Sequence, residues 1–303
     1  MKNIITGEKV TWVDIQDPTK EDIDYLRDNF SFHPLVLEEL SNFGYRPKVE
    51  AYKDYLFMTF YYPVHMKEKR ETRPRELDII ITKDVIITSH YKSILPLKSL
   101  FDKCNLYPEI RKKYMGWSAG YILFLLLNGL WKNCLIKLDR LNLKLETIEK
   151  EMFEGMEKEM VREISFVKTD LINFWRIVEP QNETLESLSK EGVIFFGEKF
   201  TPYFSDIIAT YKKSWNSLQT FKETILAMED TNQSLLSTKT NEVIQVLTVF
   251  SVIMLPLTLI ASMWGMNLNL PFEKSPLGFW IIFLIMLILM AFLIIYFHKK
   301  KWI

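Results

Sequence analysis

The sequence predicts a mixed α/β body, a long stalk helix and two apolar helices long enough to cross a membrane. Three observations carry that reading. Residues 243–264 and 277–297, runs of 22 and 21 residues, contain no charged side chain, and each can cover a hydrocarbon core of about 30 Å. The first third alternates strand-like segments with turn residues. Between Pro202 and Pro256 there is no other Pro or Gly, so one helix can run from the body into the first apolar run.

Taken in order, residues 10–15 read as a strand, and Pro18, Thr19 and Asp22 announce a helix through an N-terminal capping pattern. Residues 55–62 are rich in aromatic and β-favouring types. Residues 77–82 and 85–88 flank a two-residue Lys83-Asp84 turn, which predicts a hairpin. The basic stretch 67–75 lacks interleaved aromatics and reads as a solvated loop. From about Pro108 the chain turns helical. Its apolar run at 121–130 is too short to span a bilayer and reads as core. Acids alternate with Lys and Met at helical spacing over 146–163, the pattern of a solvated helix pair, with an ion-attracting rim as the alternative.

The helix opening at Pro202 would extend about 60 residues, roughly 90 Å at 1.5 Å per residue. In its first part Leu218, Phe221, Ile225, Met228, Asn232 and Leu235 recur at steps of three and four, a packing seam for a neighbouring helix. Further on, Asn241, Ile244, Thr248, Ser251, Leu255, Thr258 and Ser262 fall within an arc of about 100°. Nearly all polar residues of the span share that face. Such a stripe either packs against other helices or faces water. Two spans per chain cannot enclose a conduit, so a water-facing stripe requires several copies around an axis.

The expected organisation is a body over residues 1–200, a stalk over 201–242, a first span over 243–264, an external loop over 265–276, a second span over 277–297 and a basic tail over 298–303. The loop is too short for a domain, so the spans form a hairpin. Lys299, Lys300 and Lys301 after the second span place both termini in the cytoplasm, in a multi-pass protein of the cell (inner) membrane. Met1-Lys2-Asn3-Ile4 lacks the apolar stretch of a signal peptide. Cys104 and Cys134 have no metal-ligand spacing and read as buried thiols. Formal net charge is zero and the part before residue 243 is slightly acidic, which argues against nucleic acid as a partner.

Directly after the stripe stands Gly265-Met266-Asn267. With Thr240-Asn241-Glu242-Val243 entering the span, Met254-Leu255-Pro256-Leu257-Thr258 within it and Lys299-Lys300-Lys301-Trp302-Ile303 behind the second span, the chain resembles the CorA family of Mg²⁺ transporters. The likeness extends forward through Trp12-Val13-Asp14, His33-Pro34-Leu35-Val36-Leu37-Glu38-Glu39 and Arg46-Pro47-Lys48-Val49-Glu50. Trp264 stands where the family usually has Tyr, and Leu270-Pro271-Phe272-Glu273 replaces its commoner Met-Pro-Glu loop.

The resemblance implies a funnel-shaped homopentamer in lipid, passing Mg²⁺ through a pore lined by the first span. It implies a selectivity ring at Gly265, Met266 and Asn267, and constrictions at Ile244, Leu247 and Leu255. It also implies a regulatory Mg²⁺ between Glu39 of one subunit and Asp206 of the next. Mg²⁺ is then both cargo and regulator. Transport of Co²⁺, Ni²⁺ or Zn²⁺ remains an alternative on the same fold, although no Cys and none of His33, His65 and His90 lies in the span, which favours a hard ion. A membrane-anchored enzyme is the alternative from another class, and the sequence offers no nucleophile, metal or phosphate-loop motif for it.

Overall fold

The computed structural model describes residues 2–42, 44, 46–66, 68–266 and 276–302. By its internal contacts the chain divides into two units, Met1–Glu229 and Asp230–Ile303.

The first unit is built on a six-stranded sheet. Its strands are β1 (Lys2–Thr6), β2 (Thr11–Gln16), β3 (Lys48–Ala51), β4 (Leu56–Met66), β5 (Glu71–Ile81) and β6 (Val85–His90), in spatial order β1-β2-β6-β5-β4-β3. Only β2 and β6 pair in parallel, and the excursion between them contains two helices, α1 (Lys20–Asn29) and α2 (Pro34–Glu39). Register aligns Val13, Ile87, Ile80 and Phe57 in one row across four strands. That row meets Ile23 and Leu26 of α1 and Val36 and Leu37 of α2 in a common core, as expected where a period of two presents every second side chain to one face.

Helix α1 starts as the sequence predicts. Thr19 accepts from the backbone of Asp22 while the Asp22 side chain accepts from the backbone of Thr19, so two orphan donors are satisfied reciprocally. His33 caps α2 through Nδ1, with Pro34 in the first turn.

Other helices follow the sheet: α3 (Leu95–Leu106), α4 (Pro108–Met115), α5 (Ala119–Phe153), α6 (Glu157–Val178), α7 (Gln181–Phe196), a 3-10 turn at Glu198–Phe200, and then α8 (Thr201–Trp264) and α9 (Pro276–Lys299). The apolar run expected to be core is buried: Ile122, Leu123, Leu126, Leu127, Leu130 and Trp131 of α5 are all covered. Trp131 meets Phe60 of β4 edge-on at 5.6 Å. The seam of α8 in this unit finds its neighbour in α6 of the same chain. Trp175 stacks on Trp215 at 5.5 Å, and Lys168 binds Glu229 at 2.6 Å. Leu218, Ile225 and Met228 are buried.

Three differences from the sequence reading have physical causes. Strand β1 lies ahead of the first expected strand and pairs antiparallel with β2; its residues Lys2 and Asn3 hide the alternation. Helix begins at Leu95 rather than near Pro108, because Pro96 sits in the first turn, where its missing N–H costs nothing. The basic stretch 67–75 is mostly not a loop. From Glu71 onward it is strand, paired down to Met66↔Glu71, and Pro74 is tolerated opposite Pro63. The acids of 146–163 do form a helix pair, joined at Gly155 with φ +97°, a left-handed value that glycine adopts without steric cost. Most of them are solvated, but Glu163 holds Arg70 and Lys144.

The second unit comprises the C-terminal part of α8 and α9. Pro256 sits inside α8 and removes the donor that would otherwise reach the Val252 carbonyl.

Candidate functional site

In the second unit α8 has two unlike faces. Val249 and Leu257 are buried, and Ile253, Pro256, Ile260 and Trp264 are half-buried at helical spacing. The predicted stripe is exposed throughout: Asn241, Ile244, Thr248, Ser251, Leu255, Thr258 and Ser262 all face outward. Its apolar members are barely covered, with Ile244 54%, Leu247 63% and Leu255 69% exposed.

Three of the hydroxyls on this face share an arrangement. Thr248 Oγ1 donates to the Ile244 carbonyl at 2.7 Å, Ser251 Oγ to Leu247 at 2.8 Å and Thr258 Oγ1 to Met254 at 2.8 Å. Each proton is spent on the carbonyl four residues back. At these three positions what projects outward is the oxygen lone pairs, while Asn241 on the same face adds an amide with both acceptor and donors. A hydrated cation presents the complementary surface, since its waters point their hydrogens away from the ion.

Beyond Trp264 the Gly265 N–H donates to the Ala261 carbonyl at 3.0 Å and the Met266 N–H to Met263 at 3.4 Å. Gly265 and Met266 are exposed at the end of the helix. A Cβ on Gly265 would meet its nearest atom, the Ala261 carbonyl oxygen, at 3.4 Å, so the fold of one chain does not demand glycine here. Asn267 lies outside the described residues, as do the other residues of 267–275.

Helix α9 is apolar on all sides and exposed over most of its length. Phe279 and Trp280 stand in its first turns, and Tyr296, Phe297 and Trp302 cluster at its other end. Trp280 and Tyr296 are sixteen residues apart, about 24 Å along a helix, so aromatic side chains flank the apolar stretch at both ends. Sequence reasoning passed over these flanking aromatics, although they stand at both ends of a charge-free run.

The two carboxylates predicted for regulation lie in the first unit. Glu39 ends α2 and accepts from Lys48 Nζ at 2.8 Å; the same ammonium donates to Glu50 at 2.7 Å. Burial alone lowers the Lys48 pKa, but the two glutamates more than reverse this and hold it above its ordinary value. Burial alone raises Glu50; hydrogen bonds from Lys48 and Tyr52 outweigh that and lower it. Asp206 is exposed in the second turn of α8 and accepts from Asn128 Nδ2 at 2.8 Å. Among the described residues no hydrogen bond joins Glu39 to Asp206, and no three His, Cys, Asp or Glu side chains gather as a metal site. Lys48 is the partner of Glu39 that sequence reasoning missed. Its signal was the alternation Lys48, Glu50, Tyr52, which puts all three on one side of a strand.

A mixed α/β body followed by a long helix with an exposed apolar C-terminal part and a second exposed apolar helix defines an integral membrane protein. The family model described as CorA-like Mg²⁺ transporter protein matches residues 7–299, and the chain belongs to that family, whose members are transporters and not enzymes. A Cobalt/magnesium transport protein CorA of Thermotoga maritima is 29% identical over 300 residues, covering 97% of this chain and 83% of the relative. A protein of the same description from Methanocaldococcus jannaschii is 22% identical over 297 residues, covering 97% and 92%. The complete structure of the CorA magnesium transporter from M. jannaschii matches with a TM-score of 0.84, covering 99% of this chain and 94% of that one. The chain is thus a divalent-cation transporter of the CorA family.

Proposed function

We propose that this chain is one subunit of a homopentameric channel carrying Mg²⁺ passively through a path lined by the exposed stripe of α8. The observation that carries this reading is that stripe: one-sided, exposed from Asn241 to Ser262 and bearing hydroxyls whose protons are turned inward. Five copies around an axis would turn the acceptors toward a common water column.

In this reading Asn267, with Gly265 and Met266, forms the outer selectivity ring. Mg²⁺ dehydrates reluctantly and prefers octahedral oxygen, so neutral amide oxygens accepting from its bound waters select for the hydrated ion without holding it as carboxylates would. Ile244, Leu247 and Leu255 form apolar rings that close the path by dewetting. An inside-negative potential of about 100 mV favours entry of a divalent ion by about 4.6 kcal/mol, twice the ~2.3 for a single charge. Residues 201–242 act as the stalk, 265–276 as the external loop, and both termini stay in the cytoplasm, held there by Lys299, Lys300 and Lys301.

Regulation follows from Glu39 and Asp206 facing each other between subunits. Two carboxylates about 5 Å apart repel by roughly 3 kcal/mol at an effective dielectric near 20. A Mg²⁺ between them converts repulsion into a clamp that holds the closed state, and loss of the ion releases it. Lys48 competes with the ion for Glu39, so it sets how much cytoplasmic Mg²⁺ the clamp requires.

Uptake of Mg²⁺ into proteoliposomes, followed with a trapped fluorescent indicator, tests the function. Mg²⁺ should enter and hexaammine cobalt, a mimic of the hydrated ion, should block it. Faster uptake of Co²⁺, Ni²⁺ or Zn²⁺ than of Mg²⁺ would overturn the choice of cargo.

A further inference from the structure

Away from the ion path, the first unit holds a cavity of about 390 Å³ between the β4–β5 hairpin and helices α5 and α6. That volume is in the range of small-molecule sites, about 300–1,000 Å³. Its chemistry is lopsided. Arg70, Lys137, Arg140 and Lys144 line it against a single lining carboxylate, Asp170.

Not all of these cations are free. Glu163 binds Arg70 through both guanidinium nitrogens and lies 3.6 Å from Lys144, so the three together carry one net positive charge. Lys137 and Arg140 have no carboxylate within ion-pair distance among the described residues. Lys137 is half-buried, donates to the Pro63 carbonyl at 2.6 Å and lies over the Tyr62 ring at 4.1 Å. Burial lowers its pKa, and Arg140 adds to that. A half-buried ammonium without a counter-ion is a costly arrangement that an anion would relieve.

The cavity also holds an unmet acceptor. Asp170 is only 9% exposed; its Oδ2 lies 3.2 Å from His65 Nδ1, while its Oδ1 is buried with no partner. Buried polar atoms of native proteins are nearly always hydrogen-bonded, so a cavity-lining carboxylate with an orphaned oxygen calls for a ligand bearing an N–H or O–H that the side chain can turn to meet. Cations on one wall and an orphan acceptor on another therefore call for one molecule with an anionic end and a donor end.

The spacing narrows the class. Lys137, Arg140 and Lys144 follow one another at steps of three and four on α5, a row about 10 Å long. This suits a short chain of phosphates better than one compact carboxylate. Leu141 and Phe174 add apolar surface for a planar group. We propose that this cavity binds a nucleoside di- or triphosphate, its phosphates along Lys137, Arg140 and Lys144 and a base or sugar donor on the Asp170 carboxylate.

The test is calorimetric titration of the full-length protein in detergent with ADP and, separately, with inorganic phosphate, both in Mg²⁺-free buffer. ADP should saturate at one per chain and bind more tightly than phosphate. Arg140→Ala removes an exposed side chain and threatens the fold least; it should weaken ADP about tenfold or more, the loss expected of a charge-assisted hydrogen bond. Asp170→Leu should narrow the preference for ADP over phosphate while phosphate itself still binds. Absence of ADP binding, equal affinity for ADP and phosphate, or full ADP affinity in Arg140→Ala would each overturn the proposal. None of these outcomes depends on which ion the protein carries.

Discussion

Helix α5 and the C-terminal helices are alike in being long and apolar enough to cross a membrane, but the chain treats them oppositely. In the most apolar stretch of α5, 56% of the residues are buried by the chain itself; in α8 the figure is 11% and in α9 6%. Helix α5 has Phe60 and Tyr211 against Trp131, at 5.6 and 4.9 Å, and the sheet beneath it. The others have no such cover within one chain. Apolar composition thus identifies a face that must leave water, and only the surrounding fold says whether protein or lipid removes it. The polar stripe on α8 belongs to the second group as well: its residues are exposed in one chain, and under the proposed function water covers them.

Substitutions can break this contrast. The largest effect is expected at the mouth: Asn267→Ala should abolish Mg²⁺ uptake into proteoliposomes while leaving assembly intact, and wild-type flux in a correctly inserted variant would end its assignment to the selectivity ring. Next in size is the α5 core. Trp131→Ala should destabilise the first unit by about 3–5 kcal/mol in a denaturant titration of far-UV circular dichroism, whereas Leu255→Ala should leave that transition in place and alter only flux. A lysine at the middle of α9, Ile285→Lys, should oppose membrane insertion by about 3 kcal/mol, read as a lower inserted fraction; unchanged insertion would mean that Ile285 is not in hydrocarbon.

A smaller effect concerns pH and belongs to the first unit alone. Asp78 is buried beside Thr59, and burial, then the charge of Glu76, pushes its pKa well above 3.8. Burial raises Glu76 as well. The native state therefore binds more protons than the unfolded one. The stabilisation from this pair is complete below the ordinary carboxylate range and is lost as pH rises through the raised native values. Asp78→Asn should flatten the decline in thermal midpoint between mildly acidic and neutral pH, and an unchanged slope would place the titrating group elsewhere.

Much of this was legible in the sequence because local rules and tertiary outcome agree. The capping box at Thr19, the Lys83-Asp84 turn and the one-sided arrangement of polar residues on α8 each follow from spacing alone, and the shortness of the charge-free run at 121–130 pointed to core. Other features were hidden where tertiary partners decide. The basic stretch 67–75 read as a solvated loop, yet from Glu71 it is strand, with Pro74 opposite Pro63 in the ladder. The Lys48 contact with Glu39 joins a helix end to a strand nine residues away. Of the predicted site, the stripe from Asn241 to Ser262 could be followed residue by residue. The Glu39–Asp206 pairing needs a second copy of the chain, and the role of Asn267 rests on family resemblance.

Under the proposed function the stripe of α8 borders the water through which Mg²⁺ moves. Ser251→Cys tests it directly, because the native Cys104 and Cys134 are buried and burial pushes the Cys104 and Cys134 thiols up to about 11 and about 12, leaving both unreactive. Mg²⁺ influx into proteoliposomes would be recorded before and after a membrane-impermeant thiol reagent, with Val252→Cys as the neighbour on a different face. The account predicts influx in both variants beforehand, then block of Ser251→Cys with little change in Val252→Cys. Block of Val252→Cys with Ser251→Cys left untouched would contradict it.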